Sequence, residues 1–87
     1  MYVVVSLDIK FKTKQKKIES TIEHFGLRKI QNTIYIGELN KIEQKTLVKS
    51  INKIIKEHDS VLIIPICQNC YSKKETCGRE IKFKNDL

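Results

Sequence analysis

The sequence predicts an α+β domain of the ferredoxin-like kind: an antiparallel sheet with two helices on one face, in the order β-α-β-β-α-β. Three observations carry this. Two apolar, β-branched runs, Tyr2–Leu7 and Val61–Cys67, stand near either end of the core. Two lysine-rich stretches between them repeat apolar residues at helical spacing. Between those stretches lies an extended segment with a polar break in its middle.

Each element follows from its residues. Residues 1–8 are β-branched and aromatic, with Leu7 the one good helix former among them. Their continuous apolarity reads as a strand that is central or covered on both faces. Residues 13–25 read as a helix, with Thr13 as N-cap and Ile18, Ile22 and Phe25 on one face. Gly26 is placed to stop it. Leu27 to Glu38 is extended. Ile30, Ile34 and Ile36 share a face by even spacing, and Gln31-Asn32-Thr33 marks a tight turn or bulge. Asn40 and Glu43 have the spacing of a capping box. Leu47, Val48, Ile51, Ile54 and Ile55 then form an apolar stripe at helical spacing. Asp59-Ser60 is a turn. Val61 to Cys67 is the last core strand, and Pro65 assigns it to an edge or a bulge. Residues 68–79 read as polar and irregular. Residues 80–84 alternate, Ile81 and Phe83 against Lys82 and Lys84, as a short strand suited to pairing with another chain.

The chain has 87 residues, a length that fits one domain, with a core over 1–67 and an extension over 68–87. A core that small gains from self-association. The formal charge of +7 suggests phosphate-bearing partners such as nucleic acid, although a basic surface also serves solubility. No apolar run approaches the ~20 residues of a membrane helix, and the N-terminal run ends at Asp8 without a signal-peptide pattern. Three cysteines, an odd number, without a secretory context point to a reducing cytoplasm.

Four groups of residues invite chemistry. Asp8 ends the first strand just before a cationic stretch. A carboxylate there can hold a divalent metal against a phosphate, and can equally cap a helix or pair with a lysine. Lys10, Lys12, Lys14, Lys16 and Lys17 form a run of cations without an acid. Lysine tracks a phosphate backbone as a point charge and reads no base sequence. Such a run can also be a solvated helix start. Cys67-Gln68-Asn69-Cys70, with Cys77 beyond, lacks the fourth ligand of a zinc site. A redox pair would want to open a helix after a strand in a βαβ unit, so the residues favour structural thiols. Ile34-Tyr35-Ile36-Gly37-Glu38-Leu39 looks like the shorter strand motif of RNA-recognition domains, in which an aromatic stacks on a base. The longer motif is missing, which leaves Tyr35 as a sheet residue with a minor nucleic-acid role. Three glycines exclude a phosphate loop.

Three segments together resemble the CRISPR-associated endoribonuclease family, the small subunit of the CRISPR adaptation complex. They are Met1-Tyr2-Val3-Val4-Val5 through Asp8-Ile9, Gly26-Leu27-Arg28-Lys29-Ile30-Gln31-Asn32-Thr33-Ile34-Tyr35-Ile36-Gly37-Glu38-Leu39, and Asp59-Ser60-Val61-Leu62-Ile63-Ile64-Pro65-Ile66-Cys67. The resemblance covers residues 1–70 in order and spacing. It implies a ferredoxin-like homodimer whose last strand joins the partner's sheet. It implies that Asp8 meets its symmetry mate at the interface and binds Mg²⁺ for cleavage of RNA or DNA. It also implies association with the CRISPR adaptation integrase, which the dimer bridges during spacer acquisition. Lys17, Lys29, Thr33 and Tyr35 stand where the family often has Arg, Arg, Ser and Phe. Gln15 replaces a frequent basic residue, and Leu7 a frequent Tyr. Lysine does not reproduce the two-pronged grip of arginine on phosphate. The alternative expectation is therefore a non-catalytic nucleic-acid-binding scaffold of the same complex.

Overall fold

A computed structural model describes residues 1–83. Its elements are β1 (Tyr2–Asp8), α1 (Lys12–His24), β2 (Arg28–Gln31), β3 (Ile34–Glu38), α2 (Lys41–Asn52), β4 (Ser60–Ile66) and a short α3 (Gln68–Ser72). The four strands form one sheet in the order β2-β3-β1-β4, and every neighbouring pair is antiparallel. β1 and β2 thus run parallel with β3 between them, which is the ferredoxin-like arrangement.

Burial alternates along β1. Val3, Val5 and Leu7 are buried, whereas Tyr2, Val4 and Ser6 are only half-buried. The inward set packs with Ile18 and Ile22 of α1 and Leu47 and Ile51 of α2, so both helices cover one face. β1 is central, as its apolarity suggests, but its second face is only partly covered within one chain. Cross-strand partners lie on the same face, so Val4, Ile36 and Ile64 share that open side, as do Ser6, Ile34 and Leu62. Leu62 and Ile64 are exposed there.

The helices obey local rules to different degrees. α2 begins with the expected capping box: Asn40 accepts from the Glu43 N–H at 2.8 Å, and Glu43 accepts from the Asn40 N–H at 2.9 Å. α1 departs from expectation. Phe11, not Thr13, is its N-cap, and no side chain caps it. Its C-terminal end follows the sequence. Gly26 has φ +91°, its N–H donates to Glu23 O, and the Leu27 N–H donates to Ile22 O. That pair of bonds closes a Schellman turn, with Leu27 against Ile22 as its apolar contact. Thr33, φ 63°, turns the β2–β3 hairpin, and a bulge lies between Lys29 and Gln31. The bulge leaves Ile30 without a ladder partner, while Ile34 and Ile36 share a face as expected.

β4 is an edge strand, where Pro65 costs no ladder bond to a further neighbour. One expectation for the C-terminal extension needs correction. Residues 68–72, read as irregular, form α3, whose Tyr71 is buried by stacking on Tyr2 with ring centroids 3.7 Å apart. Residues 80–83 join no strand of the chain's own sheet, the expected pairing of 80–84 with another chain being a property of a dimer, and Lys84 lies outside the described residues.

Candidate metal and nucleic-acid site

Asp8 is the last residue of β1 and pairs with Ser60 at the edge of the sheet. By alternation it shares the open face with Tyr2, Val4 and Ser6. It is exposed, which suits a hard oxygen ligand that keeps ion-bound water. Among the described residues no three His, Cys, Asp or Glu side chains converge on a metal position. The described residues of one chain therefore build no three-ligand metal site around Asp8.

The lysines separate once folded. Lys12 and Lys16 of α1 and Lys29 of β2 line one groove of about 360 Å³ together with Gln15, Glu19, Asn32 and Thr33. Gln15, Lys29 and Thr33, distant in sequence, thus meet at one place. The groove adjoins the end of β1, because the Leu7 N–H donates to Thr33 O at 2.9 Å. Asp8 and the groove therefore share one end of the sheet. Glu19 tempers the groove: its carboxylate lies 3.8 Å from Lys29 Nζ. Lys17 is exposed on α1 outside this lining. The Lys10 ammonium lies 5.7 Å from the Phe11 ring centroid.

Lys14 has another role. Its Nζ donates to Asp59 at 2.8 Å, and the Asp59 carboxylate is 1% exposed. Asp59 also accepts from the backbone N–H of Lys56 at 2.9 Å and of Lys10 at 3.2 Å. The Lys14 hydrogen bond, then that of Lys56, hold the Asp59 carboxyl down at about 2. Sequence reading gives Asp59 only a turn. Nothing local links it to a lysine 45 positions away.

Tyr35 points the other way from a nucleic-acid surface. It lies opposite Val5 on the helix-facing side and is 2% exposed. Burial first, and a hydrogen bond to Glu19 second, raise its phenol well above the ordinary value. Such a ring has no face for a base, so its expected nucleic-acid role is corrected to a core role. Gly37, beside it, is a requirement that sequence reading missed. A Cβ there would come within 2.9 Å of Leu27 Cα and Cγ. The cysteines are a poor fit to the expected structural thiols: Cys67, Cys70 and Cys77 are all free and exposed.

Comparison with known proteins agrees with this fold. The family described as CRISPR associated protein Cas2 matches residues 1–74. A solved structure described as a crystal structure of cas2 has 26% identity and a TM-score of 0.79, covering 100% of this chain and 95% of that one. Streptococcus pyogenes Cas2 at pH 6.5 superposes with a TM-score of 0.71 at 20% identity, covering 90% and 100%. A hypothetical protein, TT1823 from Thermus thermophilus, gives 0.78 at 17% identity, covering 93% and 96%. The last two likenesses concern the fold. No curated protein matches the chain significantly.

Proposed function

The chain belongs to the CRISPR-associated Cas2 family, and from that membership we propose a homodimeric, Mg²⁺-dependent endonuclease of RNA or DNA that also bridges the adaptation integrase. The observation that carries this reading is the location of Asp8. An exposed carboxylate ends the central strand on the open sheet face, at the same sheet end as the Lys12–Lys16–Lys29 groove. A twofold axis through that face would set two Asp8 carboxylates opposite each other. Mg²⁺ bound between them would supply charge neutralisation at the phosphodiester and a water of lowered pKa. The remaining work falls to the chain itself. Lys12, Lys16 and Lys29 hold backbone phosphates, and Asp8 fixes the metal position. Lys14 anchors the loop through Asp59.

A second reading rests on a specific observation: among the described residues, no group of three His, Cys, Asp or Glu side chains forms around Asp8. On this reading the dimer is a nucleic-acid scaffold with the same lysine groove, and Asp8 is structural. The substitution Asp8→Asn separates the two. The enzyme reading expects Mg²⁺-dependent cleavage to vanish while dimer mass and nucleic-acid affinity stay at wild-type values. Absence of cleavage by the wild type, or equal cleavage by Asp8→Asn, leaves the scaffold reading. The scaffold reading expects reversal of the groove lysines to impair spacer acquisition, and Asp8→Asn to leave it intact.

A further inference from the structure

We propose that Cys67 and Cys70 are a reversible redox pair, a dithiol that closes to a disulfide by exchange with a small disulfide such as oxidised glutathione. Both thiols are free and exposed, so an oxidant reaches them. Cys67 is the N-cap between β4, which ends at Ile66, and α3, which begins at Gln68, and Cys70 lies in the first turn of α3. Cys67 Sγ accepts from the Cys70 N–H at 3.4 Å, which holds the two residues side by side. A pair three residues apart across one tight turn falls within the Cα separation a disulfide spans, about 4.4–6.8 Å. Cys77 is no competitor. It lies beside Gln31 and Asn32 at the hairpin turn, the end of the sheet near Leu7. Cys67 follows Ile66, which pairs with Tyr2 at the opposite end.

The two thiols are unequal. The backbone bond from Cys70, then its side chain, lowers the pKa of Cys67, while the bond to Cys67 raises that of Cys70. Cys67 thiolate attacks one sulfur of the oxidant, forming a mixed disulfide and expelling one small thiolate. Cys70 gives up its proton and attacks Cys67 Sγ, expelling the second. In sum two protein thiols are oxidised, and one small disulfide is reduced to two small thiols.

The test is made on the full reduced chain, incubated with oxidised glutathione, alkylated and cleaved with trypsin. The peptide Glu57–Lys73 holds both cysteines, and Glu75–Arg79 holds Cys77. The expected result is a Glu57–Lys73 peptide lighter by two hydrogens and free of alkyl groups, with Cys77 unbridged. Cys70→Ser halts at a stable mixed disulfide on Cys67, and Cys77→Ser closes as wild type does. In the reduced native chain, Cys67 is alkylated before Cys70, and the difference disappears in urea. Stable glutathione on both Cys67 and Cys70, a bridge to Cys77, an interchain bridge, or no oxidation overturns the proposal. Equal alkylation of the native pair overturns the roles assigned to the two thiols.

Discussion

Asp59 accepts hydrogen bonds from three separate places, the Lys10 N–H, the Lys56 N–H and Lys14 Nζ, and so ties the start of α1 to the turn before β4. Its carboxyl is lowered from 3.8 to about 2. A depressed folded-state pKa gives stability that is present above the ordinary carboxylate value and lost as pH falls through the depressed one. Unfolding followed by circular dichroism should therefore show the wild type losing stability between about pH 4 and pH 2. Asp59→Asn should be less stable at neutral pH and flatter across that window. An unchanged acid profile in Asp59→Asn would remove Asp59 from this role. Gly37 acts by close approach. Gly37→Ala puts a methyl against Leu27 backbone at 2.9 Å, and overpacking of this kind costs about 1–3 kcal/mol. Urea denaturation should register that loss, and a midpoint equal to wild type would show that the segment at Leu27 moves aside freely.

At the scale of elements, α1 and α2 have opposite starts. α2 carries its own capping box. α1 has no side-chain cap and no acid in its first turn, yet places Lys12 and Lys14 at the positive end of the helix dipole, where cations are unfavourable. Asp59 offsets this for Lys14. Lys12 and Lys16 remain with Lys29 around the groove, where a bound phosphate would supply the missing negative charge. Charge reversal at Lys12, Lys16 and Lys29 should weaken nucleic-acid binding. It should also lower the slope of log affinity against log salt by roughly 0.7–0.9 for each phosphate that the variant no longer neutralises. Lys14→Gln should act on stability more than on that slope. A wild-type slope in the triple variant would move the binding surface elsewhere.

For the whole molecule, the two faces of the sheet are unlike. The helix-covered face holds Val3, Val5, Leu7 and Tyr35, whereas the other leaves Leu62 and Ile64 exposed at 55% and 43%. Asp8 sits at the end of the same face. In the proposed dimer a second copy covers the apolar stripe, and a twofold axis passing near Asp8 brings the carboxylates together. Sedimentation should show the wild type as a dimer, and Leu62→Glu and Ile64→Glu as folded monomers. Variants that remain dimeric would place the interface on another surface. No helix among the described residues is long and apolar enough to cross a membrane.

The ferredoxin-like order of strands and helices was legible from residues read along the chain. Local rules suffice for that: β-branched runs, helical spacing around Leu47 and Ile51, the Asn40–Glu43 box, the Gly26 stop and the hairpin at Thr33. Continuous apolarity could not tell a strand buried on both faces from one with a half-covered second face, because that depends on what packs against it. Folding in three dimensions was needed to turn Tyr35 to the core, to give Lys14 to Asp59, and to gather Lys12, Lys16 and Lys29 in one groove. Each of these joins residues far apart in the chain, and spacing along a sequence carries no such information. Asp8 lies between the two cases. Its strand-end position was legible in the sequence, whereas its place on the open face follows only from which side of β1 the helices cover.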